Sequence, residues 1–121
     1  MQVVDAGEVR GDKLSKLITS SSQLVPYYLK QLKNANLREA SLIEADLSDS
    51  KLIRANLSYA DPKGANLAGA NLKGVIIGES EEEVVKFLQE LDEDARELIL
   101  KQNPILRIIW SEYNKDNPDE P

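Results

Sequence analysis

Two pairs of carboxylates, Asp46 with Asp49 and Asp92 with Asp94, come nearest to a reactive constellation in this chain. Acids at such spacing could exchange a proton as general acid and base, or hold a cation. Each pair also has a simpler use, at turns or at the start of a helix, where short acids accept amide hydrogen bonds. The remaining chemistry is narrow. The 121 residues include no cysteine and no histidine, which removes disulfides, thiolate nucleophiles, Cys/His zinc sites and imidazole acid-base catalysis. No phosphate-binding loop or dinucleotide fingerprint is present. Lysines, tyrosines and hydroxyls are scattered rather than convergent. The chain is therefore expected not to be an enzyme, with no catalytic residue, no metal and no cofactor.

Composition narrows the partner as well. With 41% hydrophobic residues, 30% charged residues and a formal net charge of -6, the chain reads as a soluble acidic protein of one compact unit with appendages. No apolar run approaches the roughly eighteen residues that span a bilayer, and Met1 to Glu8 has no signal-peptide pattern. No membrane association and a cytoplasmic location are expected. The charge is uneven: residues 79–100 hold nine acids against Lys86 and Arg96, whereas residues 35–78 hold five of each sign. No basic patch is available for phosphate, so nucleic acid is not an expected partner.

The elements that position these side chains are set by a five-residue period. From Ala35 to Gly74 the chain reads ANLRE, ASLIE, ADLSD, SKLIR, ANLSY, ADPKG, ANLAG, ANLKG without insertion. A small residue stands first in each unit. Leucine stands third, at positions 37, 42, 47, 52, 57, 67 and 72, with Pro62 in the same column. Five residues advance about 500° on a helix, which scatters such a column, and a strand alternates every two. The backbone itself must turn every five residues.

This pattern, close to A-[DN]-L-x-x, resembles the pentapeptide-repeat family, and in particular its short cyanobacterial members. The resemblance implies a β-solenoid: a right-handed quadrilateral β-helix in which each unit forms one side and four units form a coil. About two coils are expected, flanked by α-helical N- and C-terminal caps. Residues twenty apart then stack, Leu37 on Leu57, Leu42 on Pro62, Leu47 on Leu67 and Leu52 on Leu72, with the alanines filling the space beside them. Leu32 and Ile77 would be degenerate flanking units. The second position faces outward, where Asn and Asp can bond nearby backbone amides. Some family members mimic duplex DNA and bind DNA gyrase. Two coils at about 4.8 Å spacing give about 10 Å of column against about 34 Å for one turn of B-DNA, so that role does not fit.

Three segments are expected: an N-terminal arm and helical cap at 1–33, the repeat at 34–78, and a C-terminal α-helical cap with a frayed tail at 79–121. In the first, helical spacing runs from Asp12 to Thr19 and a second short helix begins at Pro26. In the last, Ser80 and Glu83 form a capping box, followed by Val84, Phe87, Leu88 and Leu91 on one side. Asp92 or Asp94 caps a next helix, although one continuous helix also fits. Asn103 before Pro104 reads as a cap with proline first, opening a helix to about Tyr113.

Outward residues with no need to be apolar are the candidate partner-binding residues: Ile43, Ile53, Tyr59, Trp110 and Tyr113. Ile43 and Ile53 follow the ladder leucine but lie two sides apart. Gly64, Gly69 and Gly74 share a column with Tyr59, and either serve turns or admit a close backbone approach. The last helix is apolar on more than one face, and Trp110 and Tyr113 are residue types that dominate interface energetics. A non-enzymatic protein-protein interaction or regulatory module is the expected function, with a structural, self-associating role as the alternative. A homodimer through the last helix and a heterologous protein partner of unknown identity both fit.

Overall fold

In the computed structural model, which describes residues 32–116, every fifth residue from Asn34 to Gly74 has a left-handed backbone, with φ between 57° and 74°. This is the physical origin of the period. In each unit the amide of the small residue donates to the third-position carbonyl before it, as in Ala40 N–H to Leu37 O (3.1 Å) and Ala55 N–H to Leu52 O (2.9 Å). Such a bond, with positive φ at the third of its four residues, is the mark of a type II turn. Each pentad is thus a short extended segment and one corner.

Parallel bridges join Asn36 to Asn56, Ser41 to Asp61, Asp46 to Asn66, Lys51 to Asn71 and Asn56 to Ile76. Partners always stand twenty residues apart, so the chain returns to itself after four pentads and forms a β-helix solenoid. Side one carries Asn36, Asn56 and Ile76; side two Ser41 and Asp61; side three Asp46 and Asn66; side four Lys51 and Asn71. The ladder is made by paired bonds, such as Leu47 N–H to Asn66 O and Asn66 N–H to Ala45 O, both 2.8 Å. Inside, the leucine column and the alanines beside it are all buried, as is Pro62. Leu32 and Ile77 are buried too, as expected of flanking units. The helices expected over 12–19 and from Pro26 lie outside the described residues.

The corners follow the expected chemistry. Asn36, Asp46, Asn56, Asp61, Asn66 and Asn71 each accept, through Oδ1, the amide two residues on, at 3.0–3.2 Å. Two hydrogen bonds from Ser48, through its hydroxyl (2.6 Å) and its amide, hold the Asp46 carboxyl below its usual range. The glycine column has a local cause. Gly69 has φ 74°, and a Cβ there would meet Asp49 Oδ1 of the coil before it at 2.1 Å; a Cβ on Gly74 would meet Arg54 Cγ at 3.0 Å. Side chains of the first coil lean over the second, and glycine leaves them room. Pro62 is placed where its missing amide does no harm. Ladder amides of the third position donate from the first coil to the second; in the second coil that amide would point beyond the last coil, so proline there removes a donor that no further coil could pair.

Three helices follow: α1 (Glu81–Glu90), α2 (Glu93–Gln102) and α3 (Pro104–Asp116). Ser80 caps α1, its Oγ accepting from Glu83 N–H at 3.2 Å. Of the two acids, Asp92 caps α2, accepting from Ala95 N–H at 2.8 Å. The continuous helix is not formed, because Leu91 turns extended (φ -77°, ψ 149°). Val84, Phe87, Leu88, Leu91, Ala95, Ile99 and Leu100 are buried in one cluster with the ladder leucines, so α1 and α2 seal the end of the tube. Gly78 makes the sharp join. A Cβ there would lie 2.7 Å from Val84 N and 2.9 Å from Glu83 C, contacts with backbone that only a displaced helix could relieve. Gly78→Ala is expected to cost about 2 kcal/mol, read as a lower urea midpoint with unchanged slope.

Candidate functional site

The junction between solenoid and helices is built from two side-chain amides. Gln102, at the end of α2, donates from Nε2 to Ala70 O (3.0 Å) and accepts at Oε1 from Leu72 N–H (2.7 Å). One coil earlier, the peptide groups of Asn71 do the same work, donating to Ser50 O (2.9 Å) and accepting from Leu52 N–H (2.8 Å). The Gln102 carboxamide therefore stands where a third coil would place a peptide. Asn103 continues the substitution: Oδ1 accepts from Gly74 N–H (2.8 Å), and Nδ2 donates to Leu72 O (3.0 Å) and Ile99 O (2.8 Å). The corresponding coil-to-coil bond is Arg54 N–H to Lys73 O. Asn103, expected to cap its own helix, instead turns its side chain back onto the solenoid. The backbone amides and carbonyls at the open end of side four have no further coil to pair with, and the Asn103 carboxamide satisfies them.

On side one a second link is electrostatic. Arg38 pairs with Glu79, which raises the guanidinium pKa and ties the first coil to the segment before α1. The same guanidinium lies 4.9 Å from the centre of the Tyr59 ring. Both charges are well exposed, so solvent screens the pair and it adds little to stability.

The five candidate partner residues fall into separate places. Ile43 is exposed on side two and Ile53 half-buried on side four. Tyr59, 45% exposed, stands under Arg38 at the corner between sides one and two. Trp110 and Tyr113 are together, rings stacked at 5.6 Å, but both are half-buried. Trp110 packs against the core cluster and under the Arg96 guanidinium, 5.0 Å from its centre. The Tyr113 hydroxyl accepts from Gln89 Nε2 on α1 at 2.8 Å. The face of α3 packed on the core cluster is thus Leu106 and Trp110, with the partly buried Ile109 at its margin beside α1.

The exposed apolar side of α3 belongs to residues that the sequence reading did not single out: Ile105 is 73% exposed and Ile108 63%. The apolar count over α3 held the signal, but only packing decides which face turns inward. Next to them, α1 and α3 leave a groove of about 730 Å³. Val85, Gln89, Ile109 and Tyr113 line it together with Glu81, Glu82, Glu83, Lys86 and Glu112. A smaller hollow of about 240 Å³ lies on the other flank of α1, between Tyr59, Asp61, Phe87 and Glu90. Structure therefore brings Tyr59 and Tyr113, unrelated in sequence, to opposite flanks of one helix.

No group of three or more His, Cys, Asp or Glu side chains placed to hold a metal ion is found among the described residues. Asp46 is engaged by Ser48 and Asp92 by Ala95. No helix among those residues is long and apolar enough to cross a membrane. The sequence model of the family described as Pentapeptide repeats (8 copies) matches residues 31–61 and 47–78. No curated protein and no solved structure gives a match.

Proposed function

Residues 31–78 make this chain a pentapeptide-repeat protein, and from that premise we propose that it is a non-enzymatic, cytoplasmic protein-interaction module. Its solenoid is read as a right-handed quadrilateral β-helix of about two coils, a rigid base that fixes the C-terminal helices in place. Regulation of the bound partner is the role this reading favours. The observation that carries it is the pair of isoleucines on α3: Ile105 and Ile108 stand 73% and 63% exposed while the neighbouring Leu106 and Trp110 are packed inward. Adjacent exposed β-branched residues on one helix, beside a core that already has its apolar cover, favour a partner surface.

Affinity capture from the source cell with mass spectrometry tests it. The double variant Ile105→Ser/Ile108→Ser should lose the captured partner at least about tenfold while keeping its melting temperature, since truncating exposed residues usually moves stability by no more than about 0.5 kcal/mol. Unchanged capture would remove this face. The same two residues also suit the alternative, a self-associating structural protein. Light scattering over a concentration series distinguishes them: a mass that rises with concentration, and falls back in the double variant, supports self-assembly, and a constant monomer opposes it.

A further inference from the structure

On a helix of about 100° per residue, Ile108, Glu112, Ile105 and Ile109 fall within about 100° of arc. The exposed isoleucines of α3 therefore continue the wall of the groove that Ile109, Glu112 and Tyr113 line. One surface results: an apolar strip made by Ile105, Ile108, Ile109, Val85 and the Tyr113 ring. The charged residues around it are of one dominant sign. Among the groove-lining residues Glu81, Glu82, Glu83 and Glu112 oppose Lys86 alone. Lys115 is bonded to Glu112 at 3.3 Å, which leaves the α1 border as the stronger acidic edge. Across the α1 ridge, the smaller hollow repeats the pattern, with Asp61, Glu83 and Glu90 around Lys86.

We infer that the α1–α3 groove docks an amphipathic, lysine- or arginine-rich helix of a partner protein. Resting on the interaction reading above, this names the class of partner and the site it enters. An amphipathic helix presents anchors at i, i+3, i+4 and i+7, which suit a strip running along two neighbouring helices. Its flanking cations meet Glu81, Glu82 and Glu112, giving orientation and a salt-dependent encounter rate. An acidic helix would meet like charge from Glu81, Glu82 and Glu112. A membrane surface would be repelled in the same way where its lipids are anionic.

The test uses the full chain and three synthetic 18-residue peptides. One is an amphipathic Leu/Lys helix, one the same helix with Glu for Lys, and one a scrambled Leu/Lys sequence of identical composition. Binding is followed by Trp110 fluorescence and by amide chemical shifts. The expected result is saturable one-to-one binding of the Leu/Lys helix, with shifts centred on Val85, Gln89, Ile109 and Tyr113. The Leu/Glu helix should not bind, the scrambled peptide should bind about tenfold more weakly, and Glu81→Lys/Glu82→Lys should weaken the Leu/Lys helix by about tenfold. Those glutamates are exposed, so the variant keeps its fold, checked by its melting temperature. Equal affinity for the Leu/Lys and Leu/Glu helices, shifts centred elsewhere, or no binding would overturn the groove assignment. If cellular capture persists in Glu81→Lys/Glu82→Lys while no peptide binds, the groove falls and the interaction module stands. If the unmodified chain captures nothing and binds no peptide, both fall.

Discussion

Leu47→Asp is expected to abolish cooperative unfolding. Leu47 is 1% exposed, stacks in one column with Leu67 twenty residues on, and donates its amide to Asn66 O at 2.8 Å. A carboxylate there has no cation within the tube, where the neighbours are alanine and leucine. Loss of the leucine side chain alone costs about 2–5 kcal/mol, and desolvating an unpaired acid adds several more. The sum reaches the about 5–15 kcal/mol that holds a typical domain together. Urea titration by circular dichroism should show a gradual drift in place of a transition. Leu67→Asp, one coil on, should do the same. Leu47→Met, which keeps the volume, should shift the midpoint by less than about 1.5 kcal/mol; a sharp transition retained in both Asp variants would contradict the stacked column.

The second large effect is expected where the solenoid stops. Gln102→Ala/Asn103→Ala removes five side-chain hydrogen bonds at once, three of them from Asn103. It leaves Leu72 N–H, Gly74 N–H and the Ala70 carbonyl without these partners, while the Leu72 carbonyl keeps the Val75 amide. Each buried backbone group so stranded costs about 1–3 kcal/mol, less where water enters. A loss of about 3–5 kcal/mol follows, together with exposure of a sheet edge that can pair with another chain. Thermal unfolding should show the first, and light scattering above the new midpoint the second. Gln102→Glu separates hydrogen bonding from size: it keeps the acceptor for Leu72 N–H but sets an oxygen against Ala70 O, so it should fall between the parent and the double variant. Equal stability of all three would mean that these amides do not close the ladder.

How far the sequence could be read depends on the range of the constraint. The pentad was legible because stacking at a separation of twenty imposes the same residue types at every unit, so the constraint recurs eight times from Ala35 to Gly74. Caps within a few residues were legible for the same reason of locality: Ser80 with Glu83, and Asp92 as one of two choices. The carboxamide plug was not. Asn103 before Pro104 carries the local signature of a helix start, and its partners at Leu72 and Gly74 lie about thirty residues away. Nothing in the pattern of an isolated glutamine distinguishes Gln102 from a solvated side chain. The orientation of α3 was hidden differently. Its apolar residues cover more than one face, and only the place where Asn103 fastens the helix to side four decides that Trp110 turns inward and Ile105 outward.

Amide hydrogen exchange tests the central claim, that side chains of the cap complete a ladder begun by the coils. Leu52 and Arg54 donate to the second coil, at Asn71 O and Lys73 O, whereas Leu72 and Gly74 donate to Gln102 and Asn103. All four amides should exchange slowly, and Leu72 and Gly74 should become fast in Gln102→Ala/Asn103→Ala while Leu52 and Arg54 stay protected. Free exchange at Leu72 and Gly74 in the parent chain would contradict the plug, and free exchange at all four would contradict the solenoid itself.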